Sequence, residues 1–67
     1  MKPKIKILLA DDDPVLCRLL PLQLAENDFS VAAVKSGRET LAELRREDFD
    51  VVLLDVNLPD VSGLEIL

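Results

Sequence analysis

The chain has 67 residues, 49% of them hydrophobic, and a formal net charge of −5 from 13 acidic and 8 basic side chains. A chain of this length forms at most one small domain, and its apolar content excludes a disordered acidic tail. The negative charge argues against nucleic acid or an anionic membrane as a direct partner. No apolar run is long enough for a signal peptide or a membrane span, so we expect a cytoplasmic protein.

The first predicted strand is Ile5–Ala10, a nearly continuous apolar run followed directly by Asp11, Asp12 and Asp13. A helix follows these acidic residues. Asp13 is a natural N-cap for it, and Pro14 suits its first turn because proline has no N–H to leave unpaired.

Leucines at helical spacing predict one apolar face on this first helix: Leu16, Leu19, Leu20 and Leu24. Pro21 lies inside the helix, where a proline costs about 3 kcal/mol, so we expect a bend or a locally broken turn near residues 17–21. Cys17 falls within the apolar pattern and is predicted to be a core thiol. A single cysteine allows no disulfide framework.

The second predicted strand is Phe29–Val34, and a second helix is predicted over Gly37–Glu47. Ser36 and Glu39 have the S-x-x-E spacing of a capping box, which marks the start of that helix. We expect two of its leucines to point inward, Leu41 and Leu44. Its charged residues are expected to form a solvated face: Arg38, Glu43, Arg45, Arg46 and Glu47.

The third predicted strand is Val51–Leu54, an unbroken apolar run that ends at Asp55. Such a run is typical of a strand buried on both faces. In open α/β sheets the functional groups lie just beyond the carboxyl ends of the strands, which is the position of Asp55. The next residues predict a loop shaped by Asn57, Pro59 and Gly63, in which Asp60 is a solvated turn residue. The S-x-x-E sequence Ser62–Glu65 then predicts the start of a third helix.

Alternating strands and helices predict an α/β fold with parallel strands and right-handed crossovers. The carboxyl ends of parallel strands share one edge, so Asp11, Asp12 and Asp13 lie near Asp55 if the first and third strands are neighbours. Crowded carboxylates need a cation among them, and oxygen ligands of this kind suit Mg²⁺. A bound Mg²⁺ would also neutralise an incoming phosphoryl group and leave one carboxylate as the nucleophile.

Two stretches resemble the receiver domain of two-component response regulators. ILLADDDPVLCRLL is similar to that family's first strand, acidic pair and first helix, and VVLLDVNLPDVSGLEIL to its third strand and phosphoacceptor loop. The resemblance covers residues 1–67 in order. It implies the N-terminal half of a flavodoxin-like fold, with three parallel strands in the order 2-1-3 and helices on both faces.

The resemblance also implies roles for individual residues. Asp55 corresponds to the phosphoacceptor, which takes a phosphoryl group from a histidine kinase, a phosphotransfer protein or a small phosphodonor. Asp11 and Asp12 correspond to the acidic pair, with Asp12 a direct Mg²⁺ ligand and Asp11 acting nearby or through water. Asn57 would contribute its backbone carbonyl to the metal, and the module would act in signalling rather than as an enzyme.

Complete receiver domains have five strands, and this chain supplies only the first three. The family's hydroxyl residue on strand four and its lysine on strand five have no counterpart, because the single threonine is Thr40 and no lysine follows Lys35. We therefore expect a chain truncated after its third strand, with impaired phosphorylation. The third strand would form an apolar edge, and such edges pair with other chains, which predicts a homodimer.

Three alternatives remain open. Asp11-Asp12-Asp13-Pro14-Val15 also fits the D-x-D-x-[TV] signature of haloacid-dehalogenase-like phosphatases, with Asp11 as nucleophile and Asp13 as acid/base. A second alternative is a half-domain that folds or dimerises without doing chemistry. A nucleotide-binding unit is a weak third alternative, because no G-x-G-x-x-G or P-loop sequence follows a strand.

Overall fold

The computed structural model describes residues 4–60. The described chain forms, in order, β1 (Ile5–Ala10), α1 (Pro14–Ala25), β2 (Phe29–Val34), α2 (Gly37–Arg46) and β3 (Val51–Leu54). The bounds of the three strands and the starts of both helices match the predicted ones, and α2 ends one residue early, with Glu47 as its C-cap. The predicted start of a third helix at Ser62–Glu65, together with Gly63, lies outside the described residues.

The three strands form one parallel sheet in the order β2-β1-β3, which confirms the predicted α/β fold and strand order. Ile7 of β1 is paired with Val31 on one side and Val51 on the other. Because β2 and β3 lie on opposite sides of β1, right-handed crossovers put α1 and α2 on opposite faces of the sheet.

The core lies around the central strand β1 and includes a residue from the loop after β3. Leu8 and Ala10 are fully buried and form a cluster with Val34 and Leu58. Leu8 and Ala10 point to the same side because side chains alternate along a strand. Burial of Leu58 therefore anchors the loop that follows Asp55 against the same face of the sheet.

Helix α1 begins as predicted. The Oδ1 atom of Asp13 accepts hydrogen bonds from the backbone N–H groups of Val15 (2.9 Å) and Leu16 (3.4 Å). The inclusion of Leu19 in the inward face is wrong, because 48% of its surface is exposed. Leu19 lies about 100° around the helix from half-buried Leu20, which is too far to reach the sheet.

The helix continues without interruption through Pro21, so the locally broken turn is wrong. A proline removes only one backbone donor from the helix. Hydrogen bonds on either side hold the same backbone, and the Pro21 ring is half-buried. The bend near this residue stays a prediction.

Helix α2 starts with Ser36 as its N-cap. The Ser36 Oγ accepts from the N–H of Glu39 at 3.1 Å, which is the first half of the predicted capping box. In the second half, the Glu39 carboxylate reaches the N–H of Lys35 at 3.1 Å, one residue earlier than the usual pattern. The chain is therefore held on both sides of the N-cap.

Leu41 and Leu44, which were predicted to point inward, are not buried in the described structure, since each keeps 38% of its surface exposed. The buried residues of α2 are Gly37 and Thr40, which are three positions apart and so share a face. Thr40 is fully buried, and its hydroxyl donates to the backbone oxygen of Ser36 at 2.8 Å. A satisfied hydroxyl can occupy this position without an unpaired polar atom.

Strand β3 is an exposed edge among residues 4–60, since it pairs there with β1 alone. Val51, Val52 and Leu53 are 42%, 38% and 40% exposed, so the prediction of a strand buried on both faces is wrong for this part of the chain.

Within residues 4–60, neither helix has the length and apolar character needed to cross a membrane.

Candidate acidic site at the strand ends

The candidate site lies where β1 and β3 end side by side. Ala10 and Leu54 are paired across the two strands. The N–H of Asp55 donates to the backbone oxygen of Ala10 at 2.9 Å, which extends this pairing by one residue. On the other side of β1, the N–H of Asp11 donates to the oxygen of Val34 at 3.1 Å. Asp11 and Asp55 are therefore held by backbone hydrogen bonds at the same edge of the sheet.

Three carboxylates converge at this edge. One oxygen from each of Asp11, Asp12 and Asp55 lies within 4.8 Å of the other two. Asp11 and Asp55 are half-buried, whereas Asp12 is exposed. These three residues were predicted to meet on the condition that the first and third strands are neighbours, and the structure pairs those two strands.

Local turns orient two of these carboxylates. The Asp11 Oδ1 accepts from the N–H of Asp13 at 2.9 Å, and the Asp55 Oδ1 accepts from the N–H of Asn57 at 3.0 Å. Each is a side chain bonded to the backbone two residues later, an arrangement that aspartate favours in turns. The Asn57 backbone thus lies beside Asp55, whereas the Asp13 carboxylate caps α1 and is not part of the cluster.

The charges in this cluster oppose one another. Two like charges about 4 Å apart repel by about 1 kcal/mol in water and about 4 kcal/mol at the effective dielectric of a protein surface. A divalent cation among them would reverse this cost. Oxygens about 2.1 Å from Mg²⁺ are up to about 4.2 Å apart, so small side-chain adjustments would let the three carboxylates share one ion. The donor set therefore fits Mg²⁺.

Cys17 supports the turn that carries Asp11. Its thiol donates to the Asp11 backbone oxygen at 3.0 Å. Burial, and then the negative charge of Asp11, raise the pKa of the Cys17 thiol above its ordinary value, so it stays protonated as a donor at neutral pH. The prediction of a core thiol is only partly right, because Cys17 is half-buried and free.

An apolar groove of about 330 Å³ runs from the acidic site between α1 and β3. Its walls include Leu16 and Leu20 of α1 and Leu53 of β3, and Asp11 and Asp55 lie at the end where the strands stop. The acidic site is thus continuous with the uncovered face beside the edge strand.

Asp60 is exposed in the loop after β3, as predicted for a solvated turn residue, but its carboxylate also makes a long-range contact. Its Oδ1 accepts from the N–H of Gly37 at 2.7 Å, and its Oδ2 accepts from the N–H of Arg38 at 3.0 Å. The contact joins the loop after β3 to the start of α2, across 22 to 23 positions in sequence. No local spacing signals such a contact, so the sequence reading missed it.

A flavodoxin-like α/β unit with acidic residues at the ends of its central strands defines a recognisable class of protein. The family profile of the response regulator receiver domain matches residues 7–67. The chain therefore belongs to the response regulator receiver domain family, whose members are signalling modules of two-component systems. This membership decides against the haloacid-dehalogenase reading of residues 11–15.

Curated relatives are response regulators of greater length. The chain is 41% identical over 63 residues to the transcriptional regulatory protein TrcR of Mycobacterium tuberculosis, covering 94% of this chain and 24% of TrcR. It is 36% identical over 63 residues to the cell cycle response regulator CtrA of Brucella ovis, covering 94% of this chain and 27% of CtrA. The chain spans about a quarter of the length of these relatives.

Solved receiver domains have the same fold. The receiver domain of a response regulator from Methylobacillus flagellatus superposes with a TM-score of 0.87 at 28% identity, covering 94% of this chain and 53% of that one. The response regulator protein TrrA of Thermotoga maritima, solved in complex with Mg²⁺-BeF, gives a TM-score of 0.84 at 34% identity and covers 92% and 54%.

Proposed function

We propose that this chain is the phosphoacceptor part of a two-component phosphorelay and that Asp55 is the residue that receives the phosphoryl group. The observation that carries the proposal is the meeting of carboxylate oxygens from Asp11, Asp12 and Asp55 within 4.8 Å at the ends of adjacent strands. In the transfer, an Asp55 oxygen forms a bond to phosphorus while the bond from phosphorus to the donor breaks. The electron pair of that bond leaves with the donor.

The proposed metal ligands are Asp11, Asp12, Asp55 and the backbone carbonyl of Asn57, and Asp11 acts directly or through water. When bound, Mg²⁺ would supply positive charge against the transferred phosphoryl oxygens. Hydrogen bonds within the chain orient these residues. The Asn57 N–H donates to one Asp55 carboxylate oxygen, and the Cys17 thiol donates to the backbone oxygen of Asp11. The Mg²⁺-BeF complex of TrrA, a relative with the same fold, supports the choice of metal.

The proposed donor is a histidine kinase or a phosphotransfer protein in the cytoplasm. The relatives TrcR and CtrA are a transcriptional and a cell cycle regulator by name, and the chain spans only about a quarter of each. We propose that residues 1–67 serve phosphotransfer and contact no nucleic acid themselves, since their net charge of −5 would repel it.

The metal site is tested by replacing Asp12 with asparagine. We expect D12N to weaken Mg²⁺ binding at least about tenfold, because it removes one charged ligand and keeps the side chain's shape. The chain has neither tryptophan nor tyrosine, so the titration is best followed by calorimetry or by NMR of the backbone amides.

The matched control is D13N, which also removes one negative charge from the same run of aspartates. Asparagine caps helices as well as aspartate does, so α1 keeps its cap, and Asp13 is outside the cluster. We expect D13N to bind Mg²⁺ within about twofold of the unaltered chain, by long-range charge alone. Equal losses in both variants would contradict a site built on Asp12.

We also propose that the 67-residue chain forms a homodimer through β3, with a second copy as the occupant of the edge. The described edge has three side chains about 40% exposed and carries no charge or proline to discourage pairing. The apolar groove beside it adds surface that a second copy would bury.

Replacing Val52 with lysine tests this assembly. We expect light scattering to give the mass of a dimer for the unaltered chain and of a monomer for V52K, because a charge on the edge opposes strand pairing. The control is L22K, which puts the same charge on a side chain of α1 that is 65% exposed. A folded, monodisperse monomer of the unaltered chain at high concentration would rule out the dimer.

A further inference from the structure

The loop between Asp55 and Asp60 is anchored at three points. At its start, the N–H of Asp55 donates a hydrogen bond to the backbone oxygen of Ala10 in β1. In the middle, the side chain of Leu58 is buried in the core. At its end, the Asp60 carboxylate accepts the N–H groups of Gly37 and Arg38. The third anchor connects the loop to α2, an element that contributes no side chain to the acidic cluster.

Two properties of a helix N-terminus stabilise the contact between Asp60 and α2. The first N–H groups of a helix have no partner within the helix, and its N-terminus carries a partial positive charge. The side chain of Ser36 satisfies the N–H of Glu39 and leaves those of Gly37 and Arg38 to Asp60. The N-terminus of α2 therefore has two caps. Ser36, the residue directly before the helix, caps Glu39, and Asp60, in the loop that follows Asp55, caps Gly37 and Arg38.

We propose that Asp60 is a positioning residue for the Asp55 site. By fixing the far end of a six-residue loop to α2, it holds the backbone of Asn57 against the Asp55 carboxylate and sets where that carboxylate lies relative to Asp11 and Asp12. Asp60 itself is not one of the three carboxylates of the acidic cluster. Its effect on metal binding rests on the proposed function, whereas its effect on the loop does not.

Thermodynamic linkage gives this contact a second consequence. If the Asp60 contact raises the affinity of the acidic site for Mg²⁺ by some factor, Mg²⁺ must stabilise the contact by the same factor. We therefore expect Mg²⁺ to slow hydrogen exchange at the amides of Gly37 and Arg38, although these residues lie outside the metal site.

The test compares D60A with S36A, because each variant removes one cap from the N-terminus of the same helix. Only D60A also releases the loop. We expect D60A to shift the backbone amide signals of Asp55 and Asn57 in metal-free protein and to weaken Mg²⁺ binding about tenfold, as loss of groups that orient a ligand does. S36A should lower the melting temperature to a similar extent and leave both of the other readouts unchanged.

The conservative variant D60N keeps one oxygen that can accept an N–H, so it should give a smaller change than D60A in the same direction. It also serves where D60A fails to fold. The proposal is overturned if the Asp60 and Ser36 variants change the amide signals and the Mg²⁺ affinity equally, since Asp60 would then act only as a helix cap. It is also overturned if the signals of Asp55 and Asn57 do not move.

Failure of the proposed function gives a different result. If the unaltered chain binds no Mg²⁺ while D60A still moves the Asp55 and Asn57 signals, the positioning contact stands and the metal site is wrong. If the unaltered chain binds Mg²⁺ and neither Asp60 variant changes its affinity or these signals, only the positioning role is lost.

Discussion

Replacing Asp55 with asparagine is expected to abolish covalent phosphorylation completely and to leave the fold intact. The asparagine side chain has nearly the same shape and keeps an oxygen for the N–H of Asn57, which donates to Asp55 Oδ1 at 3.0 Å. Its amide is not a nucleophile toward phosphorus, so the bond to the phosphoryl group cannot form. Incubation with acetyl phosphate and Mg²⁺, followed by intact-protein mass spectrometry, measures the modification directly.

Two other variants make the result specific. D13N removes a neighbouring charge outside the cluster and should be phosphorylated like the unaltered chain. D11N should slow the reaction through the metal without removing the acceptor. Phosphorylation that survives in D55N and disappears in D11N would move the nucleophile to Asp11 and contradict the proposed function. A folded, unaltered chain that never takes up a phosphoryl group would favour an assembly unit without chemistry.

The second large effect is expected in the core. Leu8 is fully buried in the central strand, and its replacement by alanine should cost about 2 to 5 kcal/mol of unfolding free energy. A chain of 67 residues has a total stability of roughly 3 to 10 kcal/mol at the usual value per residue. L8A should therefore lose at least about a fifth of the chain's stability, and it should be unfolded at room temperature if the total lies near the lower end of that range.

Circular dichroism during thermal and urea unfolding measures this loss, and L22A is the matched control. Leu22 is 65% exposed on α1, so removing the same atoms there should change stability by less than about 0.5 kcal/mol. Nearly equal unfolding curves for L8A and L22A would mean that the sheet around β1 is not the stabilising core.

Signals that act over short distances along the chain predicted most of the fold. Apolar runs identified all three strands of the described chain, and Asp13 and Ser36 marked the starts of its two helices. The meeting of Asp11 with Asp55 was also predictable once the resemblance gave the strand order 2-1-3, because neighbouring parallel strands end at one edge of the sheet. Errors arose where burial depends on which neighbour covers a face: Leu19 turns away from the sheet, and Leu41 stays partly exposed.

The sequence by itself determined the order of the elements, the family and the acidic residues at the strand ends, since each depends on local spacing or on a motif. Only the tertiary structure decided that Leu58 lies in the core and that Asp60 caps α2. The physical reason is the same in each case. These contacts join residues more than twenty positions apart, and their energy depends on how the helices and the loop settle on the sheet rather than on any local pattern.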